Sequence, residues 1–228
     1  MGHYPAGVPG FSCPAGHNFR GDAVSRDGRN RGNRQPGAPR ERLLDAAYAL
    51  VEDGDWESLR LAQVARLAGA SRQTAYNEFG SKVGLGRALV EREIGLLVGG
   101  VQERMDRHLD DLPAAVEAAV GFVIDEGRRR TLLRSILGAS RYPDDELIAL
   151  ATRGQEPVLT EVIAALRGYA DSTWPAVPAG VKDLLVESLV RLTVSHVVAP
   201  LGEPAAAARD LGSLTRLLAA PAPGRADG

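Results

Sequence analysis

Apolar residues recur at helical spacing along almost the whole chain after Pro39, and this repeat constrains the fold more than any other feature. Behind that proline, which suits a helix start, the i, i+3, i+4 and i+7 spacing of one helix face is carried by Leu43, Leu44, Ala47, Leu50 and Val51. Further helical segments are predicted at 61–69, 71–79, 82–109, 112–127, 131–139, 143–168, 180–199 and 204–220. No stretch alternates apolar and polar residues between hairpin turns, so we expect no sheet. The sequence therefore predicts an all-α fold.

The stretch from Leu61 to Phe79 has the pattern of a helix-turn-helix. Ala65 is small enough to let two helices cross closely, and Gly69 suits the left-handed backbone of a tight turn. On the second helix Ala75 and Phe79 lie four residues apart and are predicted to pack inward. The side chains then left to face a DNA groove are Arg72, Gln73, Thr74 and Asn77. Taken alone, the same pattern also fits a plain helical hairpin.

The composition favours a cytoplasmic protein without a membrane segment. The 228-residue chain has a formal net charge of -2, so contact with DNA requires a local basic patch. Its single cysteine, Cys13, excludes an intramolecular disulfide and suits a reducing compartment. The longest apolar run, Ile94–Val101, is far shorter than the roughly 20 residues that cross a bilayer. The first residues also lack the pattern of a secretory signal.

No motif of enzyme chemistry occurs in the sequence. Metal-ligand spacings, a nucleophile elbow, a P-loop and a dinucleotide fingerprint are all absent from it. We therefore expect no catalytic activity, no cofactor and no metal site.

One stretch of the helix-turn-helix segment resembles a known family. From Val64 to Lys82 it reads Val-Ala-Arg-Leu-Ala-Gly-Ala-Ser-Arg-Gln-Thr-Ala-Tyr-Asn-Glu-Phe-Gly-Ser-Lys. This resembles the DNA-binding domain of the TetR family of bacterial transcriptional regulators, and the resemblance extends over Arg40–Leu89. It implies a DNA-binding domain of three helices (the reading head), a long fourth helix as linker, and a helical C-terminal domain that binds a small ligand and dimerises. We therefore expect a helix-turn-helix DNA-binding domain at 39–85 and a ligand-binding and dimerisation domain at 86–220.

The two ends of the chain are predicted to be disordered. Residues 1–38 are mainly Gly, Pro, Asn and Arg with few scattered apolar residues, a composition that cannot offset the entropy lost on ordering. This basic tail is either a solvated extension, which an upstream start codon assigned in error would also produce, or an arm that reaches DNA. Residues 221–228 are predicted to form a second disordered tail.

The resemblance also implies which side chains meet DNA. These residues are Arg72, Gln73, Thr74, Tyr76, Asn77 and Lys82. Tyr76 matches a tyrosine that commonly touches phosphate, although it is equally suited to packing at the hinge. Lys82 matches a lysine that opens the fourth helix and grips the DNA backbone, although a solvated first-turn lysine fits as well. Because a cation at a helix start opposes the macrodipole, we expect an anion such as DNA phosphate nearby.

Two positions depart from the family's pattern. Glu78 stands where many members have a histidine near the phosphates, so its carboxylate is expected to turn away or to pair with an arginine. Arg60 replaces the usual Thr or Ser before the second helix, which weakens that cap unless Ser58 substitutes. Ser71 is a natural N-cap for the third helix.

The C-terminal segments carry more apolar residues than one helix face needs. Their surplus is either plain core or the wall of a ligand cavity between helices. The candidate pocket residues are Val120, Ile124, Arg134, Leu137 and His196. Arg134 is a candidate because its neighbours are apolar, whereas His196 is also suited to a hydrogen-bonded core position. The run Arg128–Arg130 is interpreted as a solvated helix end.

The last two long segments are predicted to form the dimer interface. Residues 181–200 are apolar around most of the helix, and with 204–220 they suit a four-helix bundle about a two-fold axis. The C-terminal half, notably 131–137 and 194–200, is similar to an actinobacterial branch of the family found with alkane-hydroxylase operons. That similarity implies an apolar effector such as an alkane, a fatty acid or an acyl derivative.

These features predict a homodimeric, ligand-responsive regulator of transcription. We expect a repressor that binds a palindromic operator in double-stranded DNA and is released by a small apolar effector. The effector would change the tilt of the glycine-containing fourth helix. The alternative is a helical lipid-binding, small-molecule-binding or partner-binding protein with a vestigial helix-turn-helix.

Overall fold

The protein is helical throughout the part of the chain that the computed structural model describes, residues 38–53, 56–137 and 158–220. In these ranges it forms a 3₁₀ turn at Asp106–His108 and the helices α1 Pro39–Glu52, α2 Leu61–Leu67, α3 Arg72–Phe79, α4 Lys82–Met105, α5 Leu112–Arg129, α6 Thr131–Ile136, α7 Val158–Thr173, α8 Ala179–Val198 and α9 Pro204–Ala219. No strand occurs in the described ranges, and the all-α prediction is confirmed. The predicted tails at 1–38 and 221–228 lie outside these ranges, except for Ala38.

The ends of α4 and α7 differ most from the prediction. The fourth helix was predicted to reach Leu109, but α4 ends at Met105 and a 3₁₀ turn follows. The next helix begins at once, because the Asp111 carboxylate accepts a hydrogen bond from the Ala114 amide at 3.0 Å and caps α5. Helix α7 runs on to Thr173 instead of residue 168, and the predicted start of this segment at 143 lies outside the described residues.

The N-terminal helices enclose a core to which every one of them contributes. Its buried members include Leu43, Leu44, Ala47, Val64, Ala65, Ala75, Phe79, Leu85 and Leu89. Farther along the chain, Ile94 of α4 and Leu132 of α6 belong to the same core. The packing of the reading head therefore continues past residue 85, where the sequence placed the domain boundary, and includes a helix of the C-terminal half.

Helix α5 is central to the C-terminal half. Its apolar stripe is buried against α8 and α9 in a cluster formed by Val116, Val120, Ile124, Val197, Ala207, Ala208 and Leu211. The helices approach closely here, since a Cβ added at Gly127 would lie 2.7 Å from a methyl group of Val197. A second cluster joins Ala115 of α5 to Ala170 and Trp174 at the end of α7.

Helix α4 connects the two halves, and one of its glycines marks a close contact. A Cβ added at Gly84 would overlap the backbone carbonyl oxygen of Phe79, the last residue of α3. At Gly84 the absence of a side chain lets the start of α4 pack directly against the end of α3.

Candidate DNA-binding surface and ligand cavity

The turn between α2 and α3 has the geometry that the sequence predicts. Gly69 has φ = 64°, in the left-handed region that favours glycine, and the Ala70 amide donates to the Ala65 carbonyl at 2.9 Å. Ser71 then caps α3, because its hydroxyl oxygen accepts a hydrogen bond from the Thr74 amide at 3.0 Å. This turn fixes the direction in which α3 leaves the body of the protein.

Helix α3 presents a polar face to solvent. Ala75 and Phe79 are buried, as predicted from their four-residue spacing. Tyr76, at 53% exposure, is unusually accessible for an aromatic side chain. Exposed beside it are Arg72, Gln73, Asn77 and Glu78. Apart from Glu78, these are the side chains that the sequence assigned to DNA.

Two local hydrogen bonds order the polar side chains of α3. The Gln73 side-chain amide donates to the Asn77 side-chain oxygen at 2.8 Å, an i, i+4 pair along the exposed face. The hydroxyls of Ser71 and Thr74 lie 2.9 Å apart, and Thr74 is half-buried. Thr74 is therefore engaged at the N-terminal cap, whereas Gln73 and Asn77 form a matched pair of amides on the outer surface.

Lys82 is directed toward the turn before α2. Its ammonium donates a hydrogen bond to the Glu57 carbonyl at 2.9 Å and lies 5.0 Å from the centroid of the Trp56 ring. The indole is buried, so the contact is a cation–π interaction at the edge of the reading-head core. The sequence did not single out Trp56. A carbonyl oxygen within the protein thus supplies a partner for the cation at the start of α4.

At Arg60 half of a capping box is formed. The Arg60 backbone amide donates to the Gln63 side-chain oxygen at 2.9 Å, which satisfies the amide of the N-cap residue but does not replace a Thr or Ser oxygen that would accept from the first amides of α2.

A cavity of about 300 Å³ lies between α4, α5, α6, α7 and α8, with one residue of α9 in its wall. Its described wall is almost entirely aliphatic, with Leu97 and Val101 of α4 facing Leu185 and Leu189 of α8. Trp174 and Ile136 also line the cavity, and Ile136 of α6 packs against the core of the reading head as well. A concave, apolar space of this size suits a small ligand.

Two of the five candidate pocket residues line the cavity. Val120 and Leu137 are part of its wall. Ile124 is one turn farther along α5 than Val120 and packs in the cluster that contains Val197. Arg134 is exposed, and half-buried His196 is also outside the lining. The reason is rotational: neighbouring positions on a helix point about 100° apart, so apolar neighbours in sequence do not bring a polar side chain to the same face.

The polar groups in the described wall are Lys182, Thr193 and Thr215, none of which the sequence proposed for this site. Both threonine hydroxyls donate to carbonyls one turn back in their own helices, at 2.7 Å for Thr193 and 2.8 Å for Thr215. The Lys182 ammonium lies 2.6 Å from a carboxylate oxygen of Asp171. A sequence signal for Lys182 did exist, since it shares a helix face with Leu185 and Leu189.

The first helix of the reading head also contacts the wall of the cavity through α6. The two carboxylate oxygens of Glu52 accept hydrogen bonds from the backbone amides of Thr131, at 3.1 Å, and Leu132, at 2.9 Å. Glu52, at the end of α1, therefore caps the N-terminus of α6 from outside that helix. Because Ile136 and Leu137 of α6 line the cavity, α1 and the cavity wall are joined by one short helix.

A buried ion pair lies beside this cap. Glu93 of α4 is 1% exposed, and its carboxylate lies 2.8 Å from the Arg130 guanidinium, which also donates to the Tyr48 hydroxyl at 3.1 Å. Burial raises the pKa of the Glu93 carboxyl, although Arg130 and Arg92 oppose the rise. The interpretation of Arg128–Arg130 as a solvated helix end is therefore wrong for Arg130, whose two nearest partners come from α1 and α4 and are distant in sequence, with Glu126 of α5 at 3.6 Å as a third.

The described ranges contain neither a candidate metal site nor a candidate membrane-spanning helix. They contain no group of three or more His, Cys, Asp or Glu side chains placed to hold a metal ion. None of the helices described is long and apolar enough to cross a membrane.

Comparison with known proteins identifies the family from both halves of the chain. The family model for bacterial regulatory proteins of the tetR family matches residues 43–89, and the model for the C-terminal domain of the bacterial tetracyclin repressor matches 111–216. The HTH-type transcriptional regulator AlkX of Mycobacterium tuberculosis is 33% identical over 175 residues, which cover 77% of this chain and 82% of that protein. The HTH-type transcriptional activator FasR of Mycolicibacterium smegmatis is 34% identical over 117 residues, or 50% of this chain and 49% of that protein.

A solved structure agrees with these matches. It is the TetR family repressor AlkX from Dietzia sp. strain DQ12-45-1b, which is implicated in biodegradation of n-alkanes. It superposes with a TM-score of 0.63 at 25% identity and covers 78% of this chain and 96% of its own. The helix-turn-helix, the cavity-bearing helical half and these relatives lead to one conclusion: the chain belongs to the TetR family of ligand-responsive, DNA-binding transcriptional regulators.

Proposed function

We propose that this regulator is a homodimeric repressor that leaves a palindromic operator when a small apolar effector fills the cavity. The observation that carries the proposal is the continuity between the cavity and the reading head. Helix α6 contributes to the cavity wall and to the core of the reading head, and its N-terminus is capped by Glu52 of α1. A ligand that moves α6 would therefore displace the helices that carry α3.

The proposed DNA contacts are Arg72, Gln73, Thr74, Tyr76, Asn77 and Lys82. The exposure of Arg72, Gln73, Tyr76 and Asn77 on one helix supports their assignment to a common surface. Thr74 would lie at the edge of this surface, because its hydroxyl is engaged at the cap of α3. The Gln73 and Asn77 amides have donors and acceptors suited to adenine, and Arg72 suits guanine or phosphate. Lys82 would have to exchange the Glu57 carbonyl for a phosphate, or to bridge the two.

The test is a gel-shift titration on the DNA that flanks the gene, at two salt concentrations and against scrambled competitor. We expect Arg72→Ala to weaken specific binding by about 1–3 kcal/mol if Arg72 reads a base. If it meets a phosphate, the slope of log K against log salt should become shallower by about 0.9 per contact. Arg209→Ala, which removes the same charge from the exposed surface of α9, serves as the matched control. Equal affinities of the two variants would contradict the proposed surface.

The effector is proposed to be an alkane, a fatty acid or an acyl derivative. Support comes from the aliphatic wall of the cavity and from the similarity to a repressor implicated in biodegradation of n-alkanes. Release of operator DNA by members of each class tests this point. Because FasR is an activator, a reporter gene under the operator should decide the sign of regulation, and we expect expression to rise when the protein is removed.

The proposed dimer forms through α8 and α9. Large apolar side chains are exposed on these helices and on the turn between them, namely Leu184, Leu192, Val198, Leu201, Leu217 and Leu218. A second copy that packs its own α8 and α9 on this face would bury them in a four-helix bundle. Sedimentation equilibrium tests the dimer directly.

The alternative of a carrier protein with a vestigial reading head is not favoured, because the AlkX and FasR relatives are described as transcriptional regulators. The same descriptions support the proposal that the chain is not an enzyme. They also support a cytoplasmic location, where the operator DNA lies. A carrier would bind lipid with no preference for its own flanking DNA over scrambled DNA.

A further inference from the structure

Lys182 is an unusual side chain for the wall of an aliphatic cavity. It is in the first turns of α8 and is buried, and it lines the cavity together with Trp174 and Leu185. Burying an ammonium group is costly unless an anion is close. Apart from Lys182, the described wall of the cavity contains no charged side chain.

The anion that now meets Lys182 is exposed. Asp171, in the last turn of α7, lies 2.6 Å from the ammonium, but its side chain is 64% exposed. An ion pair with a solvated partner contributes little to stability. The Asp171 carboxylate can therefore return to water at small cost when another carboxylate takes its place.

The other polar groups of the wall are occupied. The Thr193 and Thr215 hydroxyls donate to carbonyls of their own helices and have no second hydrogen to offer. Among the described lining residues, Lys182 is thus the group able to hold a charged headgroup. The volume of 300 Å³ corresponds to about ten water-sized groups, and hence to about ten methylenes of a chain.

From this arrangement we infer that the effector is a carboxylate amphiphile of medium chain length, and that Lys182 binds its headgroup. The carboxylate replaces Asp171 on the ammonium, and the alkyl chain extends along the cavity toward Leu137 of α6. Among the effector classes proposed above, this selects the fatty acid over the alkane. The inference rests on the proposed effector site and adds to it the headgroup and its partner.

The experiment compares dodecanoate with 1-dodecanol, which has the same chain but no charge, both below their micellar concentrations. Binding to the full-length protein is measured by titration calorimetry and by the fluorescence of Trp174 in a Trp56→Phe background. The variants are Lys182→Met, Lys182→Arg and Asp171→Asn. Arg167→Met is the control, because Arg167 also forms ion pairs between α7 and α8, with Asp183 and Glu187, but does not line the cavity.

The wild-type protein is expected to bind dodecanoate more tightly than dodecanol. Lys182→Met should weaken dodecanoate binding by about ten- to a hundredfold, the range for a hydrogen bond to a charged group, with little change for dodecanol. Lys182→Arg should retain most of the preference for the acid. Asp171→Asn should strengthen dodecanoate binding, since the competing carboxylate is gone, and Arg167→Met should resemble wild type.

Two results would overturn the inference in distinguishable ways. If both compounds bind and Lys182→Met does not change the preference between them, Lys182 is not the headgroup site, and the proposed cavity function stands. If neither compound binds or releases operator DNA, the proposed effector class fails and the inference fails with it.

Discussion

The contact between Gly84 and the end of α3 allows a test in which two similar substitutions in one helix have opposite effects. Gly84 is in the first turn of α4, where its amide donates to the Ser81 hydroxyl oxygen at 3.1 Å. The Cβ of Gly84→Ala would overlap the carbonyl oxygen of Phe79, a backbone atom that cannot rotate away. Gly99, in the same helix, has no atom within 4 Å of the position its Cβ would take, apart from the neighbouring backbone of α4.

The expected magnitudes follow from two competing effects. Alanine is favoured over glycine in a helix interior by about 0.5–1 kcal/mol, and this gain is available in full at Gly99 but only in part at Gly84, in the first turn of α4. At Gly84 the overlap forces the backbone between α3 and α4 to shift, and overpacking costs about 1–3 kcal/mol. We therefore expect Gly84→Ala to lower the free energy of unfolding by about 1–2 kcal/mol, whereas Gly99→Ala raises it by about 0.5–1 kcal/mol.

Thermal denaturation at one fixed protein concentration measures both changes. For a chain of this size the Tm should fall by about 2–8 °C for Gly84→Ala and rise by about 1–4 °C for Gly99→Ala. Operator affinity should fall only for Gly84→Ala, because that substitution displaces α3 relative to α4. A Tm for Gly84→Ala at or above that of wild type would refute the packing argument, since it would mean that the α3–α4 contact yields without cost.

Three further predictions concern the link between the two halves and the dimer. Glu52→Ala removes the acceptor of the Thr131 and Leu132 amides, so the free energy of unfolding should fall by about 1–2 kcal/mol in a denaturation experiment. In a gel shift with this variant, the effector should release operator DNA less completely than from wild type. Burial raises the pKa of Glu93 above its ordinary 4.5, so the folded state holds the proton more tightly than the unfolded state does. The free energy of unfolding should therefore decline as pH rises from about 4.5 through the folded pKa, by at most about 1.4 kcal/mol per pH unit. Glu93→Gln should flatten that decline, and an unchanged pH profile would contradict it. Leu217→Asp, at a position 76% exposed in the monomer, should produce monomers in sedimentation equilibrium while the helical content is retained.

The reading head could be predicted from sequence because its determinants are local. The positive φ of Gly69, the Ser71 cap and the inward pair Ala75 and Phe79 each depend on residues within one or two helical turns. Once these are in place, the polar face of α3 has to be the exposed one. The same reasoning explains why most helix starts were predicted closely, since prolines and capping side chains act on their own turn.

The ligand cavity could be anticipated but not assigned residue by residue. Its wall combines residues of six helices, and the rotation of each helix is set by the neighbours on which it packs. Sequence alone placed Arg134 and His196 in the cavity, but their faces are turned away from it. Lys182 shares a helix face with Leu185 and Leu189, but this spacing does not show whether that face is turned toward the cavity.

The sequence by itself therefore determined the all-α class, the helix-turn-helix and the family, because helical periodicity, turn glycines and caps are local properties. Only the tertiary structure decided the partners of the buried charges. Arg130 meets Tyr48 from 82 positions earlier in the chain, and Glu52 caps a helix that begins 79 positions later. Such contacts depend on how whole helices pack, and electrostatic and hydrogen-bond energies in the interior are set by the groups that packing brings within about 3 Å.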